Sequence, residues 1–195
     1  MSQSVKEGMN DSLELLGPWF HNLHLPDGRE TAPDHFLGDF PREKWLSFQH
    51  VIPENLAGWS VIDIGCNGGF YSFELAKRGA QVTAIDYDAR YLEQAKWAAE
   101  QLGLGASVTF EQKQVYDLAA DPSKYDLVWF MGVLYHLRYP LLGLDIVARK
   151  TNKLLVLQTM TMPGEEALET PPDMGLTQRH LMQDAGWPKM AFIEH

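Results

Sequence analysis

From Trp59 onward, short apolar runs alternate with segments that have a helical spacing of apolar residues. The runs at 60–63, 81–86, 107–111, 125–131 and 153–157 predict five strands. Helices are predicted over 70–78, from Asp88 to Leu102, and from Pro140 to Ala148. Strands that alternate with helices at this spacing predict an α/β fold with a doubly wound, mostly parallel sheet.

The chain before Trp59 has a different pattern. Residues 18–42 contain four Pro, three His and two Gly with little periodicity, which is typical of irregular chain. A short helix is predicted after this segment, with Pro41 in its first turn and Trp45 and Phe48 on one side. We therefore predict an N-terminal helical or irregular arm or lid over 1–58 and an α/β domain over 59–195.

The C-terminal part of the pattern is incomplete. A helix is predicted over 177–185 and a strand over 189–194, after which the chain stops. A last strand with no neighbour would leave an open apolar edge. We therefore expect that the C-terminal strand or strands of the fold are missing, because a partner such as a second copy covers the edge or because the chain is part of a longer protein.

Composition and charge narrow the classes of function. The chain has 16 Lys and Arg against 26 Asp and Glu, and this formal net charge of −10 weakens the case for broad binding to nucleic-acid phosphates. The single cysteine, Cys66, excludes an internal disulfide and a cysteine-based zinc site. No apolar run approaches the ~20 residues that cross a bilayer, and the start of the chain has no apolar signal core. We expect a cytoplasmic protein that does not bind membranes.

The turn after the first predicted strand is rich in glycine and runs from Asp63 to Phe70. Glycine lets backbone N–H groups approach a ligand, and Asn67 is a residue type that tolerates positive φ. A phosphate-binding P-loop would need a Gly-Lys-Ser/Thr sequence, which this turn lacks. A dinucleotide motif would need glycine where Asn67 and Phe70 stand. Because the turn also contains no Lys or Arg, it favours a ligand without phosphates.

Polar residues also follow the next three strands. Asp86 ends the second strand, where a carboxylate can accept hydrogen bonds from two ribose hydroxyls. Tyr116 and Asp117 follow the third strand, where they could meet an adenine edge, and Met131 ends the fourth. This set predicts a nucleoside pocket. The alternative is that Asp63 and Asp86 only cap strands and helices, but three aspartates at successive strand ends beside one glycine-rich turn, with Asp117 as the third, make that alternative weaker.

The motif Asp63-x-Gly65-x-Asn67-x-Gly69, together with Asp86, Asp117 and the string from Met131 to His136, resembles the class I S-adenosylmethionine-dependent methyltransferases over about residues 59–160. Asn67 stands where that family usually has glycine. The resemblance implies a Rossmann-like methyltransferase fold and S-adenosyl-L-methionine as the cofactor.

A narrower resemblance is to the bacterial tRNA wobble-uridine carboxymethyltransferases and their relatives. It rests on the string from Met131 to Leu137 before a Pro-Leu helix and on the Lys44-Trp45 pair. It implies that Tyr135 and Lys44 lie near the reacting end of the cofactor. Those enzymes hold a carboxylated cofactor with a lysine before a Gly-Pro dipeptide, and here Leu16 precedes Gly17-Pro18. Ordinary S-adenosylmethionine is therefore the expected cofactor.

Methyl transfer from a sulfonium needs alignment of the reactants and exclusion of water, and no covalent enzyme intermediate. Cys66 is therefore expected to be a small residue in a tight turn and not a nucleophile. His136 is a candidate base, with two alternatives: it orients Tyr135 or caps the helix at Pro140. Tyr135 either orients the substrate or packs.

The N-terminal aromatic residues predict a flexible lid or a substrate wall built from Trp19, Phe20 and His21, the alternative being an arm packed on the domain or on a second copy. His21, His24 and His35 also suggest a metal site. Pro18 and Pro26 make the intervening chain a poor helix, and no cysteine is near. We predict no metal.

The predicted site residues are therefore as follows. The catalytic candidates are His136 and Tyr135; the cofactor-binding candidates are Asp63, Gly65, Cys66, Asn67, Gly69, Asp86, Tyr87, Asp88, Tyr116, Asp117 and Met131; the substrate-binding candidates are Trp19, His21, Lys44 and Trp45.

The leading hypothesis is a methyltransferase that acts by direct in-line transfer on a small molecule or nucleoside. One alternative is tRNA wobble-uridine (carboxy)methyl transfer, which the acidic charge disfavours. Another is a non-catalytic module that binds S-adenosylhomocysteine or mediates assembly, and homodimerisation stays open. Nicotinamide-dependent reduction is rejected because Phe70 stands where a glycine would be needed.

Overall fold

The computed structural model describes residues 12–160 of the chain. Its centre is a sheet made of β1 (Ser60–Ile64), β2 (Gln81–Asp86), β3 (Val108–Gln112), β4 (Tyr125–Met131) and β5 (Thr151–Gln158). All neighbouring strands are parallel, and their order is β3-β2-β1-β4-β5. The chain builds outward from β1 on both sides, so the strand order reverses between β1 and β4. In sheets of this kind, ligands bind beyond the carboxyl ends of the strands at that point.

The principal α-helices are α1 (Phe40–Phe48), α2 (Phe70–Lys77), α3 (Ala89–Gln101) and α4 (Pro140–Lys150), and 3₁₀ turns lie at Gln49–Val51, Val115–Ala119 and Leu134–His136. Proline stands in the first turn of α1 and of α4, where a missing N–H costs nothing. Asp88 caps α3, because its carboxylate accepts a hydrogen bond from the N–H of Arg90 at 2.9 Å. The local sequence therefore explains where these helices begin.

Both faces of the sheet are buried. Val61, Leu127 and Trp129 face the side covered by α1, α2 and α3. Ile62, Val128 and Phe130 alternate with them and face the side covered by α4. A strand that is buried on both faces needs apolar residues at successive positions, which is why the central strands read as short continuous apolar runs.

The N-terminal segment shares the first of these two cores. Trp19, Leu23, Trp45, Ile52 and Leu56 are all buried in the cluster that also contains the inner faces of α2 and α3. The guanidinium of Arg78 joins the two parts, since Nη1 donates to the carbonyl oxygens of Gln49 at 3.0 Å and Pro53 at 3.1 Å. The segment before Trp59 therefore packs on the α/β sheet.

The predicted fold class is confirmed: the sheet is parallel, with helices on both faces. β3 begins one residue later than predicted, and β5 is longer than predicted at both ends. The helix predicted over 177–185 and the strand predicted over 189–194 lie outside the described residues. Within residues 12–160, none of the helices has the length and apolar character needed to cross a membrane.

Candidate functional site

The glycine-rich loop at 65–69 joins β1 to α2 at the carboxyl edge of the sheet. Gly65 and Gly69 have φ of +75° and +91°, and Asn67 has φ of +50°. Only glycine fits the first two positions, because a Cβ at Gly65 would overlap Cγ2 of Val133 and one at Gly69 would lie 2.6 Å from Cζ of Phe73. The prediction that Asn67 adopts positive φ is confirmed.

The backbone N–H groups of this loop are bonded within the protein. Those of Gly65 and Cys66 donate to the carbonyl oxygen of Ile85 at 2.8 and 3.0 Å. The N–H of Gly68 donates to Oδ1 of Asn67 at 2.7 Å, and that of Gly69 donates to the carbonyl oxygen of Cys66 at 2.9 Å. These N–H groups therefore have partners within the chain, and their approach to a ligand stays a prediction. The glycines allow the loop to turn at positive φ and to pack closely against Val133 and Phe73.

Asp86 links this loop to the end of β2. Its Oδ2 accepts from the N–H of Asn67 at 2.9 Å, and its Oδ1 accepts from the N–H of Asp88 at 3.0 Å. The side chain is buried, and desolvation raises its pKa despite these hydrogen bonds. A carboxylate offers about four lone-pair sites, so each oxygen can accept a further hydrogen bond from a ligand hydroxyl.

Asp63 lies beneath the loop and is almost completely buried. The hydroxyl of Ser72 donates to its Oδ2 at 2.6 Å. Burial, with a smaller contribution from the charge of Asp86, raises the pKa of Asp63 to about 7 against the opposing hydrogen bonds from Ser72. Asp63 therefore forms the floor of the site and holds the start of α2.

Cys66 is buried in the same loop, with its Sγ 3.7 Å from the carbonyl oxygen of Asn67. Burial raises the pKa of its thiol, and the charges of Asp63 and Asp86 add to the shift. The thiol is therefore protonated at neutral pH, which agrees with the prediction that Cys66 fills a tight turn.

The polar residues after β2 and β3 mainly stabilise local turns. Asp117 Oδ2 accepts from the N–H of Gln114 at 2.8 Å, and the Tyr116 hydroxyl accepts from the N–H of Tyr139 at 2.8 Å. Tyr87 is 70% exposed, and Asp88 caps α3. These side chains lie at the carboxyl edge, as predicted, but three of them already have partners within the chain.

The segment after β4 carries the two catalytic candidates. Met131 is buried, and Gly132 has φ of +72°. The hydroxyl of Tyr135 lies 3.5 Å from the position that a Cβ of Gly132 would take, and burial raises the pKa of this tyrosine. His136 is exposed, with its ring centroid 4.3 Å from that of Tyr135. The two side chains therefore lie together just after the carboxyl end of β4.

Trp19 and His21 cover the other side of the loop. A Cβ at Gly68 would lie 3.4 Å from Cβ of His21 and 3.6 Å from Cε3 of Trp19. Trp19 Nε1 donates to the carbonyl oxygen of Leu13 at 3.1 Å, and the Trp19 ring lies 5.7 Å from that of Trp97. Both residues are buried against the domain, and their part in a lid or substrate wall stays a prediction.

The Lys44-Trp45 pair is divided between two environments. The Trp45 ring is buried, 5.7 Å from that of Trp129 and 4.8 Å from the guanidinium carbon of Arg78. Lys44 is partly exposed, with its Nζ 5.4 Å from the centroid of Phe40. The structure therefore places Trp45 in the core and Lys44 near the aromatic residues of the N-terminal segment.

The three N-terminal histidines do not converge. His24 Nε2 lies 2.6 Å from Oδ2 of Asp39, whereas His35 stacks edge-on against Phe20 at 5.0 Å. His21 is buried, and burial followed by the charges of Lys44 and His35 lowers its pKa to about 3. His21 is therefore neutral at physiological pH.

Two residues that the sequence analysis missed help to shape the site. Val133 fills the space opposite Gly65. Gln94, fully buried on α3, donates from Nε2 to the carbonyl oxygens of Leu16 at 2.6 Å and Pro18 at 3.0 Å. The sequence signal for Gln94 was a polar residue on the apolar face of a predicted helix. No pattern in the sequence around Val133 indicates its contact with Gly65.

A groove of about 330 Å³ lies between α1 and α2, on the face of the sheet that these two helices cover. Apolar residues such as Leu23, Trp45 and Phe73 form much of its lining. None of its lining residues belongs to the loop at 65–69 or to the ends of β2 and β4. The groove is therefore separate from the site at the carboxyl edge.

Comparison with known proteins gives consistent matches. A model of the methyltransferase domain family matches residues 61–150. The tRNA U34 carboxymethyltransferase of Marinobacter nauticus is 33% identical over 174 residues, which cover 85% of this chain and 49% of that protein. The ubiquinone biosynthesis O-methyltransferase of Xanthomonas euvesicatoria is 41% identical over 139 residues, which cover 68% of this chain and 57% of that protein. The chain thus spans about half the length of the curated relatives it matches.

Among solved structures, the N-terminal domain of EvdMO1 with SAH bound is similar in fold. The superposition has a TM-score of 0.65 with 22% sequence identity, and it covers 86% of this chain and 70% of that chain. At this level of identity the likeness shows a common fold and nothing more specific.

Proposed function

We propose that the chain is a class I S-adenosylmethionine-dependent methyltransferase that binds S-adenosylmethionine at the carboxyl edge of the sheet and methylates a small-molecule or nucleoside acceptor. The observation that carries the proposal is the buried carboxylate of Asp86 at the end of β2, held by the backbone of the glycine loop. Its free lone pairs suit two ribose hydroxyls.

The chemistry of the loop favours a nucleoside ligand over a dinucleotide. Residues 63–70 contain no Lys or Arg that could neutralise a diphosphate. Phe70, at the start of α2, is buried and occupies the position where a dinucleotide motif has its third glycine. Asp86 would also repel a phosphate on the ribose. These features support S-adenosylmethionine rather than a nicotinamide cofactor.

When bound, S-adenosylmethionine would supply an activated methyl group: the acceptor lone pair bonds to the methyl carbon, and the electrons of the broken C–S bond stay on sulfur. The chain then has to align the acceptor and exclude water. In this proposal Trp19 and His21, which pack against Gly68, form a wall beside the loop, and Tyr135, after β4, helps to orient the acceptor. His136 is exposed and adjacent to Tyr135, so in this proposal it accepts the proton that an acceptor hydroxyl or N–H releases.

The test is a calorimetric titration of the whole chain with S-adenosylmethionine, S-adenosylhomocysteine and NAD. We expect binding of the first two, and we expect Asp86→Ala to weaken it by about 1–3 kcal/mol because ligand hydroxyls lose their buried acceptor. The matched control is Asp145→Ala, which removes an exposed carboxylate on α4 and should leave affinity unchanged. Tight binding of NAD without binding of S-adenosylmethionine would refute the proposal.

A second candidate acceptor is tRNA. The observation that favours it is the likeness to the Marinobacter nauticus protein over 85% of this chain. The net charge of −10 opposes it, because contacts to phosphates require nearby cations. Methylation of tRNA that falls steeply with salt would support this candidate, whereas cofactor binding without any turnover would favour a non-catalytic binding module.

A further inference from the structure

The N-terminal segment presents a group of aromatic rings to solvent. We call the group formed by Phe20, His35, Phe36 and Phe40 the aromatic surface. The ring centroids of Phe20 lie 5.0 Å from His35 and 5.2 Å from Phe40, and those of His35 and Phe36 are 4.6 Å apart. Phe36 is nevertheless 83% exposed and Phe20 38% exposed. Core packing therefore does not account for this cluster, and contiguous exposed apolar area of this kind marks binding sites.

His21 connects the aromatic surface to the glycine loop. Its ring centroid lies 5.8 Å from that of Phe40 on one side and 5.8 Å from that of Tyr71, in the first turn of α2, on the other. The Cβ of the same residue lies against Gly68. The aromatic surface is therefore one side chain away from the loop that we propose as the cofactor site.

His21 also leaves a polar atom unsatisfied. Its Nδ1 is buried and has no hydrogen-bond partner among the described residues. The low pKa keeps the imidazole neutral, so this nitrogen can bond an uncharged ligand group without the cost of a buried charge. A buried polar atom without a partner is costly in a folded protein, which points to a partner supplied by a ligand.

The ammonium group of a lysine lies beside the aromatic surface. Lys44 Nζ lies 5.4 Å from the centroid of Phe40 and forms no ion pair with a carboxylate among residues 12–160. Asp39, the carboxylate adjacent to Phe40 in sequence, is engaged by Nε2 of His24 at 2.6 Å. An anionic group on a ligand would therefore find Lys44 available.

We propose that the aromatic surface is the acceptor subsite and that it takes a planar aromatic acid, whose ring stacks on Phe20 and Phe36 and whose carboxylate faces Lys44. This inference rests on the proposed methyltransferase function, and it narrows the acceptor to a class of small molecule. Aromatic stacking supplies ring recognition, and the lysine selects acids over neutral phenols.

The test compares three probes by calorimetry on the whole chain, with and without S-adenosylhomocysteine: 4-hydroxybenzoate, phenol and 4-hydroxycyclohexanecarboxylate. The proposal expects 4-hydroxybenzoate to bind about ten-fold more tightly than phenol, which lacks the carboxylate, and than the saturated acid, which lacks the ring. Equal affinity for the three probes, or no binding of 4-hydroxybenzoate, would overturn it.

Variants of exposed residues separate recognition from folding. Phe36→Ala and Lys44→Gln should each weaken binding of 4-hydroxybenzoate by about five-fold or more, with Lys44→Arg restoring most of the loss. The controls are Leu141→Ala, at a 67% exposed residue on α4, and Lys96→Gln on α3, which should leave binding unchanged.

Two further outcomes would overturn the proposal. One is unchanged binding in both Phe36→Ala and Lys44→Gln. The other is a change of oligomeric state in Phe36→Ala with unchanged binding, which would make the aromatic surface an interface between copies of the chain. Failure of S-adenosylhomocysteine to bind is measured in its own titration, and it would refute the proposed function as well. Bound S-adenosylhomocysteine with no bound aromatic acid would refute the acceptor subsite alone.

Discussion

The glycine loop at 65–69 and the N-terminal segment lie against each other at Gly68, but they differ in how completely their polar groups are bonded. Every backbone N–H of the loop donates within the protein, to Ile85, Asp86 or another loop residue. Within residues 12–160, the N-terminal segment has buried side-chain atoms without hydrogen-bond partners, namely Nδ1 of His21 and Oδ1 of Asp39. Gln94, which holds this segment to α3, has an unpartnered Oε1 as well.

The loop is therefore the part of the candidate site whose conformation does not depend on a ligand. The N-terminal segment is the part in which a ligand would supply the missing hydrogen-bond partners. The loop needs no ligand to hold its conformation, so it can serve the same cofactor whatever the acceptor. The N-terminal segment carries the unsatisfied atoms and the exposed aromatic rings, which are the features that acceptor recognition would use. We therefore expect changes in the loop to affect cofactor binding, and changes in the segment to affect the acceptor.

The largest expected effect comes from Gly65→Val. The new side chain would overlap Val133 and would have to adopt φ near +75°. We expect S-adenosylhomocysteine affinity to fall by more than about 100-fold, measured by calorimetry, because the loop must move. Gly105→Val is the control, since a Cβ there meets nothing within 4 Å. A Gly65→Val protein that binds normally would show that the ligand does not depend on the shape of the loop.

The second effect concerns Asp63 and the dependence of stability on pH. The pKa of Asp63 is about 7 in the folded protein against an ordinary value of 3.8, so the folded state binds more protons between these values. Stability should therefore fall as pH rises from about 4 to about 7, by up to roughly 4 kcal/mol from this group. Asp63→Asn should remove that loss and raise Tm at pH 8, as followed by thermal unfolding.

The control for this measurement has the opposite sign. The backbone hydrogen bond from Ser60, followed by Lys153, lowers the pKa of Asp126, so its contribution is present at neutral pH and is lost as pH falls through the folded pKa. Asp126→Asn should therefore lower Tm at pH 7. If Asp63→Asn and Asp126→Asn shifted Tm in the same direction, burial of Asp63 would not be the dominant cause.

The smallest effect is expected for His21→Phe. The substitution replaces a buried imidazole that has an unpartnered nitrogen by an apolar ring among Phe40, Phe70 and Tyr71. We expect stability to rise by about 1 kcal/mol, seen in chemical denaturation, with S-adenosylhomocysteine affinity unchanged. His24→Phe should destabilise, because it removes the hydrogen bond to Asp39. A clear loss of stability in His21→Phe would mean that His21 is satisfied in the folded protein.

The periodicity of the sequence was sufficient for most of the fold. The apolar run from Tyr125 to Met131 matches β4 residue for residue, and Asp88 caps α3 as predicted. These features depend on residues close together in the chain. The 3₁₀ turns after β3 and β4 were not predicted, because short turns have no hydrophobic period.

The candidate site was predicted in part. The glycine positions, Asn67 and the carboxylate of Asp86 are where the sequence places them, at the carboxyl ends of adjacent strands. Trp45 packs on Trp129, because the helical face on which it lies turns towards the sheet, and its contact with a substrate stays a prediction. The assignment of the remaining residues to cofactor and acceptor stays a prediction.

The sequence by itself determined the alternation of strands and helices, the need for glycine after β1, and the acidic residues at the strand ends. It could do so because each depends on local backbone geometry or on a period of two to four residues. Only the tertiary structure decided that the loop N–H groups are already bonded, that Val133 opposes Gly65, and that Gln94 holds the N-terminal segment. The contacts of Val133 and Gln94 join residues 68 to 78 positions apart, and no local pattern specifies which distant residues meet when both faces of a sheet are covered.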